Sequence, residues 1–160
     1  MTSLATASTA AVDSSAMSST ALAADAYNTS RGLTFVGKPL GMHGVDPVAF
    51  LDLGNRSDGT ANHTAEHDGV AYYFSSNETM ETIKSNPAAY LPENGGYCTF
   101  GVSVGKKTDG NPKFAAIIDE KLYVFLNEDI FRMFQEDKAG TISKAETNWP
   151  KIRPIAPADL

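Results

Sequence analysis

Three side chains close to glycines could together bind a soft metal ion. Cys98 follows two glycines and a tyrosine, and Met42 and His43 lie on a loop with a glycine at each end. Thiolate, thioether and imidazole are ligands that suit copper. If the fold brings the two segments together, Cys98, His43 and Met42 would form a site for copper or another transition metal. The simpler alternatives are a buried thiol that packs as a small apolar residue and an exposed loop histidine.

The other candidate residues carry weaker signals. His63 and His67 are four residues apart, and on a strand they would lie about 13 Å apart, too far to share an ion. Asp46 precedes Pro47 and could serve as an acid or a metal ligand, although aspartate in this position is typical of a local bond to the backbone. No Ser–His–Asp arrangement is recognisable, so no catalytic residue is assigned.

Composition excludes several classes of protein. The 160 residues include 13 basic and 19 acidic side chains, for a net charge of −6, and one cysteine. A single cysteine excludes an intrachain disulfide and any all-cysteine zinc site. The acidic balance argues against a nucleic-acid partner, which would need a basic surface. No run of apolar residues is long enough for a transmembrane segment.

The chain divides into a tail and one domain. Residues 1–30 are rich in Ala, Ser and Thr, which predicts a flexible tail or a targeting remnant; the alternative is a short docking helix around Ala21–Tyr27. The triplet Ala21-Leu22-Ala23 resembles a signal-peptidase site and favours a secreted, periplasmic or organelle-lumen location over the cytoplasm. The domain spans residues 31–153, and residues 154–160 form an extended end. No repeat is visible at periods of 20–50 residues.

Apolar patterning and capping residues predict an α+β domain with a small antiparallel or mixed sheet and about three helices. The strands are expected at Leu33–Val36, Val45–Leu51 and Val70–Phe74, and in a hairpin of Phe114–Ile118 with Leu122–Phe125. One helix follows a cap at Ser75 or Ser76, another follows a cap at Asn127, and the last runs from Thr141 to a stop at Pro150.

Five short motifs in order resemble the YHS-domain family, in its longer, stand-alone form. They cover about residues 35–153. The first is Gly44-Val45-Asp46-Pro47-Val48-Ala49-Phe50, and the second is Gly69-Val70-Ala71-Tyr72-Tyr73-Phe74-Ser75-Ser76, which a short helix and Asn86-Pro87-Ala88-Ala89-Tyr90 follow. The others are Gly95-Gly96-Tyr97-Cys98-Thr99-Phe100-Gly101-Val102, Lys121-Leu122-Tyr123 and Ala145-Glu146-Thr147-Asn148-Trp149-Pro150.

The resemblance implies a compact α+β domain and, in some relatives, metal handling. In metal-associated relatives cysteines stand where this chain has Ala49, Ser75 and Thr79, so a soft-metal site at those positions is lost. We therefore expect a non-enzymatic binding domain of YHS type that holds a metal ion, copper above all, or a small ligand near Cys98. The alternatives are a subunit that docks onto a protein partner or larger complex through its N-terminal tail, and a small redox enzyme that uses Cys98.

Overall fold

The computed structural model describes residues 25–160, which form an α+β fold as predicted. In chain order the elements are α1 (Pro47–Leu53), β1 (Thr60–His67), β2 (Val70–Phe74), α2 (Asn77–Ser85), α3 (Pro87–Tyr90), α4 (Thr99–Ser103), β3 (Asn111–Ile118), β4 (Lys121–Phe125), α5 (Glu128–Glu136) and α6 (Lys138–Ile152). Short 3₁₀ turns occur at Met42–Gly44, Glu93–Gly96 and Pro157–Asp159. In residues 25–160 no helix is long and apolar enough to cross a membrane.

The strands form two separate antiparallel hairpins, β1 with β2 and β3 with β4. Each hairpin has a tight turn and an irregular register near its open end, between Thr60 and Thr64 in the first and between Asn111 and Ala115 in the second. Strands β2 and β4 are almost entirely buried, and each leads directly into a capped helix. The predicted hairpin and the predicted strand Val70–Phe74 are confirmed.

The second half of the domain repeats the first. Thr60 pairs with Phe74, and the residues 51 positions later, Asn111 and Phe125, pair in the same way. The helices that follow both have nine residues and end at caps of the same unusual backbone shape, Asn86 (φ −152°, ψ 72°) and Asp137 (φ −147°, ψ 72°). The period lies just beyond the 20–50 residues in which the sequence shows no repeat, and it emerges only from strand register and cap geometry.

The duplication extends to the helix that precedes each hairpin. A 3₁₀ turn with left-handed residues leads into α1, which is capped by Asp46, and a similar turn leads into α4, which is capped by Cys98. The Asp46 amide donates to the Ser57 carbonyl oxygen at 2.8 Å, and the Cys98 amide donates to the Thr108 carbonyl oxygen at 3.0 Å. Asp46 and Cys98 thus occupy equivalent N-cap positions, although they are 52 rather than 51 residues apart, and only the Asp46 side chain bonds to the helix that it precedes.

The carboxylate of Asp46 is completely buried and joins three elements of the first half. It accepts bonds from the Val48 and Ala49 amides at 2.9 Å, which caps α1. It also accepts from the Ser75 amide and hydroxyl at 2.7 and 2.8 Å, and from the Thr79 hydroxyl at 2.7 Å. A buried charge is tolerated only with such bonds, so the end of β2 and the start of α2 are held against α1.

Several expected elements differ from those observed. The segment Val45–Leu51 is not a strand, because Asp46 as a cap and Pro47 at the first position start a helix there. Leu33–Val36 is not a strand either: the Thr34 amide donates to Lys38 and the Gly37 amide donates to Thr34, which closes a turn.

The bounds of the last helix also differ from the predicted ones. The last helix begins at Lys138, because Asp137 caps it, and it passes Pro150 to reach Ile152. A proline in the final turn removes one backbone donor without ending the helix, since the Arg153 amide still bonds to the Trp149 carbonyl oxygen at 2.8 Å. The helix predicted after Ser75 or Ser76 is capped by Ser76, whose hydroxyl accepts from the Thr79 amide.

Residues 25–30, which belong to the predicted tail, lie against the domain. The Lys107 ammonium donates to the carbonyl oxygens of Asp25, Arg153 and Ile155 at 2.8, 2.8 and 2.6 Å, so one side chain joins both ends of the described chain. The Tyr97 hydroxyl donates to the carbonyl oxygens of Asp25 and Tyr27, both at 3.1 Å. The rest of that tail, including the triplet at Ala21, lies outside the described residues.

We expect Asp46→Ala to lower the free energy of unfolding by about 3 kcal/mol, because it removes a helix cap and takes the acceptor away from the buried Val48 and Ala49 amides and from the donors of Ser75 and Thr79. Urea unfolding followed by circular dichroism measures the change. The matched control is Asp137→Ala, which removes an exposed cap bonded to the Gly140 amide at 3.0 Å and should cost about 1 kcal/mol. Equal losses in the two variants would contradict the role assigned to Asp46.

Candidate ligand-binding cleft

Cys98, the first of the predicted metal ligands, is buried as the cap of α4. Its thiol belongs to an apolar cluster with Tyr123, Phe125 and Phe134. Two positions follow the duplication: Leu126 and Ile130 stand where the first half has Ser75 and Thr79. The polar group at Asp46 is therefore replaced in the second half by a consistent apolar set, in which a cysteine packs as a small hydrophobic residue.

The other two predicted ligands lie in different surroundings. Met42 is buried in a separate apolar cluster, with Val45 and Tyr72 among its members. The His43 Nε2 atom lies 2.8 Å from Asp109 Oδ1 at the surface, and this hydrogen bond engages the imidazole. Within residues 25–160 no group of three or more His, Cys, Asp and Glu side chains is placed to hold a metal. Copper binding at these residues stays a prediction.

The two histidines of β1, His63 and His67, lie on the same strand but have different neighbours. His67, at the end of β1, has its Nε2 atom 3.3 Å from Asp68 Oδ2, and its ring meets the Tyr27 ring edge-on at 6.3 Å between centroids. His63 is partly buried four residues earlier. Both side chains thus belong to a strand, where residues four apart are separated by about 13 Å.

The structure also brings together the positions at which the resemblance places cysteines in metal-associated relatives. The Ala49 amide, the Ser75 hydroxyl and the Thr79 hydroxyl all donate to the Asp46 carboxylate. These are hard oxygen and amide groups, and each already has a partner. The cluster stabilises the fold and offers no position for a soft metal.

A cleft of about 360 Å³ opens beside the Gly-Gly-Tyr-Cys segment. The end of β1 and the turn after it contribute His67 and Asp68, and the segment after α3 contributes Leu91 and Glu93. Helix α6 contributes its last turns, and the N-terminal segment closes one side. This is within the size range of small-molecule sites. We call it the first cleft; its lining residues are Ala26, Tyr27, His67, Asp68, Pro87, Ala88, Leu91, Pro92, Glu93, Asn94, Gly95, Trp149 and Arg153.

Gly95 lets the N-terminal segment approach closely enough to form that wall. Its carbonyl oxygen accepts from the Asn28 amide at 2.9 Å. It has φ +62°, and a Cβ there would collide with the Ala26 carbonyl oxygen. A side chain at this position would therefore push the segment off the domain, in addition to the strain of the left-handed backbone.

Charged and aromatic groups meet in the first cleft. The Tyr27 hydroxyl donates to Asp68 Oδ2 at 2.7 Å. Burial first, and then the Asp68 carboxylate, raise the pKa of Tyr27 to about 12, while the guanidinium of Arg153 opposes the rise. Burial also raises the pKa of Glu93, an effect that Lys121 opposes and Glu146 reinforces. The Arg153 guanidinium is exposed, and in the described chain no carboxylate lies within ion-pair distance of it.

Sequence reasoning did not select the residues of this cleft as a site. Tyr27 lies in the segment that the sequence predicts to be a tail, Trp149 lies at the end of the last predicted helix, and Arg153 is the last residue of the predicted domain. The available signals were a lone tryptophan and an arginine three residues after a proline, and neither has a spacing that points to a site. No family model matches the chain, and no curated protein or solved structure is significantly similar to it.

We expect Glu93→Gln to stabilise the protein at neutral pH. Because the pKa of Glu93 is raised in the folded state, its contribution to stability is fully present below the unfolded value of 4.5 and is lost as pH rises through the folded value. The amide carries no charge to desolvate, so the variant should exceed the wild type at pH 7 and match it at pH 4. Urea unfolding at both pH values measures the difference.

The control is Glu81→Gln on the exposed face of α2. It should show no such pH-dependent gain. A neutral or destabilising effect of Glu93→Gln at pH 7 would contradict the desolvated carboxyl that the cleft geometry implies.

Proposed function

We propose that the chain is a non-enzymatic binding domain of YHS type whose small-molecule ligand occupies the first cleft, beside the Gly-Gly-Tyr-Cys segment. The observation that carries the proposal is the meeting of three groups at one cleft of about 360 Å³: a guanidinium that has no carboxylate partner in the described chain, an indole and a partly buried carboxyl group. Ligand sites in proteins combine an apolar lining with a few convergent polar groups in this way.

The arrangement of the motifs supports the family. The Asp-Pro-Val and Tyr-Tyr-Phe-Ser motifs are distant in sequence, yet Asp46 and Ser75 are in direct contact. Tyr97 of the Gly-Gly-Tyr-Cys motif lies 6.2 Å from Trp149 of the last motif, measured between ring centroids. The residues that carry the resemblance are thus the contacts that assemble the domain, as expected for motifs of a single fold.

The chemistry of the first cleft favours a planar ligand with an anionic group. Trp149, Leu91 and Pro92 offer apolar surface to a flat body. Arg153 at the rim offers a guanidinium that can donate two parallel bonds to a carboxylate. Small aromatic carboxylates therefore represent the ligand class.

A binding role agrees with the titratable groups of the cleft better than catalysis does. The Tyr27 phenol, with a pKa of about 12, stays protonated at neutral pH and is a poor base. Cys98 is 1% exposed and packs among apolar side chains, so its sulfur is closed to a substrate in solution. These two facts also weaken the alternative of a redox enzyme that uses Cys98.

Trp149 is the chain's only tryptophan, so its fluorescence reports on the first cleft. We expect small aromatic carboxylates without an indole, such as benzoate, to shift or quench it with saturation. The corresponding amides, which lack the charge, should bind more weakly. Arg153→Gln should weaken carboxylate binding about tenfold or more, since hydrogen bonds to charged groups contribute about 1.5–3 kcal/mol. The ligand should not absorb or emit where tryptophan emits, so that a change in fluorescence reports on Trp149 alone.

The matched control is Arg132→Gln on α5, where the guanidinium pairs with Glu128 at 2.7 Å outside the cleft. It should leave binding unchanged. The absence of a saturable signal from every carboxylate, or equal affinity in Arg153→Gln and wild type, would refute a ligand site at this cleft.

Copper binding through Cys98 is a separate possibility with a direct test. Elemental analysis of the purified full chain and of Cys98→Ser compares their metal content. Stoichiometric copper that is lost in the variant would favour the predicted set Cys98, His43 and Met42 over the cleft. Metal-free wild-type protein that does not take up added Cu(I) would exclude that set.

A docking role is the second candidate function, and one observation favours it. The turn at Leu33–Val36 projects three large apolar side chains into solvent, with Phe35 fully exposed. An ordered turn of this kind fits a subunit that docks onto a partner. Of the predicted docking tail, residues 25–30 contact the chain's own domain, and the remainder lies outside the described residues.

A further inference from the structure

The internal duplication gives the first cleft a counterpart. His67, Asp68 and Leu91 of the first cleft correspond, 51 residues later, to Ile118, Asp119 and Ile142, and these three line a cavity of about 540 Å³. Pro87, Ala88 and Pro92 correspond in the same way to Lys138, Ala139 and Ser143, and Gly95 corresponds to Glu146. We call this cavity the second cleft; Glu146 also lines it.

The two clefts differ in what fills them. In the first, an aromatic side chain from outside the repeat, Tyr27, lies against the wall and donates to Asp68 at 2.7 Å. In the second, the lining comes from the end of β3, the turn that follows it and helix α6 alone, among the residues that the structure describes. Ile118 replaces His67, so the second cleft suits an aromatic ring without a polar group.

An exposed aromatic side chain with suitable flanks occurs in the same chain. The segment Arg31–Lys38, which we call the Phe35 turn, holds Leu33, Phe35 and Val36 in solvent. The Thr34 amide and hydroxyl both bond to the Lys38 carbonyl oxygen, at 2.8 and 2.7 Å, so the turn is ordered before it meets a partner. A preformed turn loses little conformational entropy on binding.

Charge also matches between the Phe35 turn and the second cleft. No acidic residue occurs between Asp25 and Asp46, so the turn is locally basic in a chain of net charge −6. Its flanks are Arg31 and Lys38, and the only partner of Lys38 in the described chain is Glu66 at 3.7 Å, an exposed and weak pair. The second cleft is lined by two acidic side chains, Asp119 and Glu146, and by one basic side chain, Lys138.

We propose that the second cleft binds the Phe35 turn of another copy of this chain, as the first cleft holds Tyr27. Phe35 enters between Ile118 and Ile142, and Arg31 and Lys38 face the carboxylates of the cleft. The two surfaces differ, so each copy offers one turn and one cleft, and association produces a ring, a reciprocal dimer or an open chain. The contact is weak and weakens further with salt, because part of it is electrostatic.

Sedimentation velocity on the full chain tests this at concentrations up to about 1 mM, the range in which weak contacts become populated. Wild type should associate, less so at high salt. Phe35→Ser and Ala139→Arg, which remove the aromatic ring and fill the second cleft, should each raise the dissociation constant about tenfold or more. Both positions are exposed, so folding should be unaffected. A mixture of the two variants should form a heterodimer, because one intact turn meets one intact cleft.

Two controls match these variants. Leu53→Ser removes another exposed apolar side chain, and Ala88→Arg makes the same substitution at the equivalent position of the first cleft; neither should change association. Three outcomes would overturn the proposal: a wild type that stays monomeric, association that Ala139→Arg does not weaken, or Phe35-dependent binding to phosphatidylserine vesicles by a protein that stays monomeric. The last would identify a lipid surface as the partner of the turn.

Discussion

The carboxylate of Asp46 imposes the constraint on which the first half of the domain depends. It is completely buried, and its five bonds within 3 Å come from neutral donors: two amides of α1, the amide and hydroxyl of Ser75, and the hydroxyl of Thr79. Removing a charge from water is costly unless every lone pair is satisfied. The end of β2 and the start of α2 must therefore meet α1, and that meeting positions the hairpin whose turn forms the wall of the first cleft.

The duplication shows how one backbone plan accepts two solutions at the same point. Cys98 replaces Asp46, and Leu126 and Ile130 replace the hydroxyl donors, so a polar centre becomes an apolar one without a change in hairpin register. All three residues must change together. A hydroxyl left among Phe125 and its neighbours would have no hydrogen-bond partner, and an apolar residue in place of Ser75 or Thr79 would deprive the Asp46 carboxylate of a donor. This explains why the thiol is a packing group in the structure.

The two halves differ in structure because the chain ends that the structure describes lie against only one of the two clefts. Lys107, buried between Tyr97 and Trp149, donates to carbonyl oxygens at both ends of the described chain and fixes the N-terminal segment against α6. Burial lowers the pKa of that ammonium. Three carbonyl acceptors and the rings of Tyr97 and Trp149 surround it. The first cleft thereby gains a wall from the N-terminal segment, whereas the second has no such wall among the described residues. We propose a small-molecule ligand for the first cleft and a second copy of the chain for the other.

Local signals in the sequence determined the elements whose chemistry is local. The hairpin turn after β1, the strand Val70–Phe74 and the cap at Asn127 were predictable because turn glycines, β-branched and aromatic residues, and capping side chains act on neighbouring residues. The apolar run at the start of α1 predicts a strand, whereas the Asp46 cap and Pro47 begin a helix there. Even there the deciding residues are adjacent in sequence.

Only the tertiary structure decided which distant residues meet. Asp46 with Ser75, Tyr27 with Asp68, and Lys107 with both chain ends are separated by 29, 41 and up to 82 residues. Such pairs leave no periodic trace, because each depends on how whole elements pack. The clefts themselves, the burial of Cys98 and the exposure of Phe35 belong to the same category, since a cavity, a core and a surface exist only once the chain has folded.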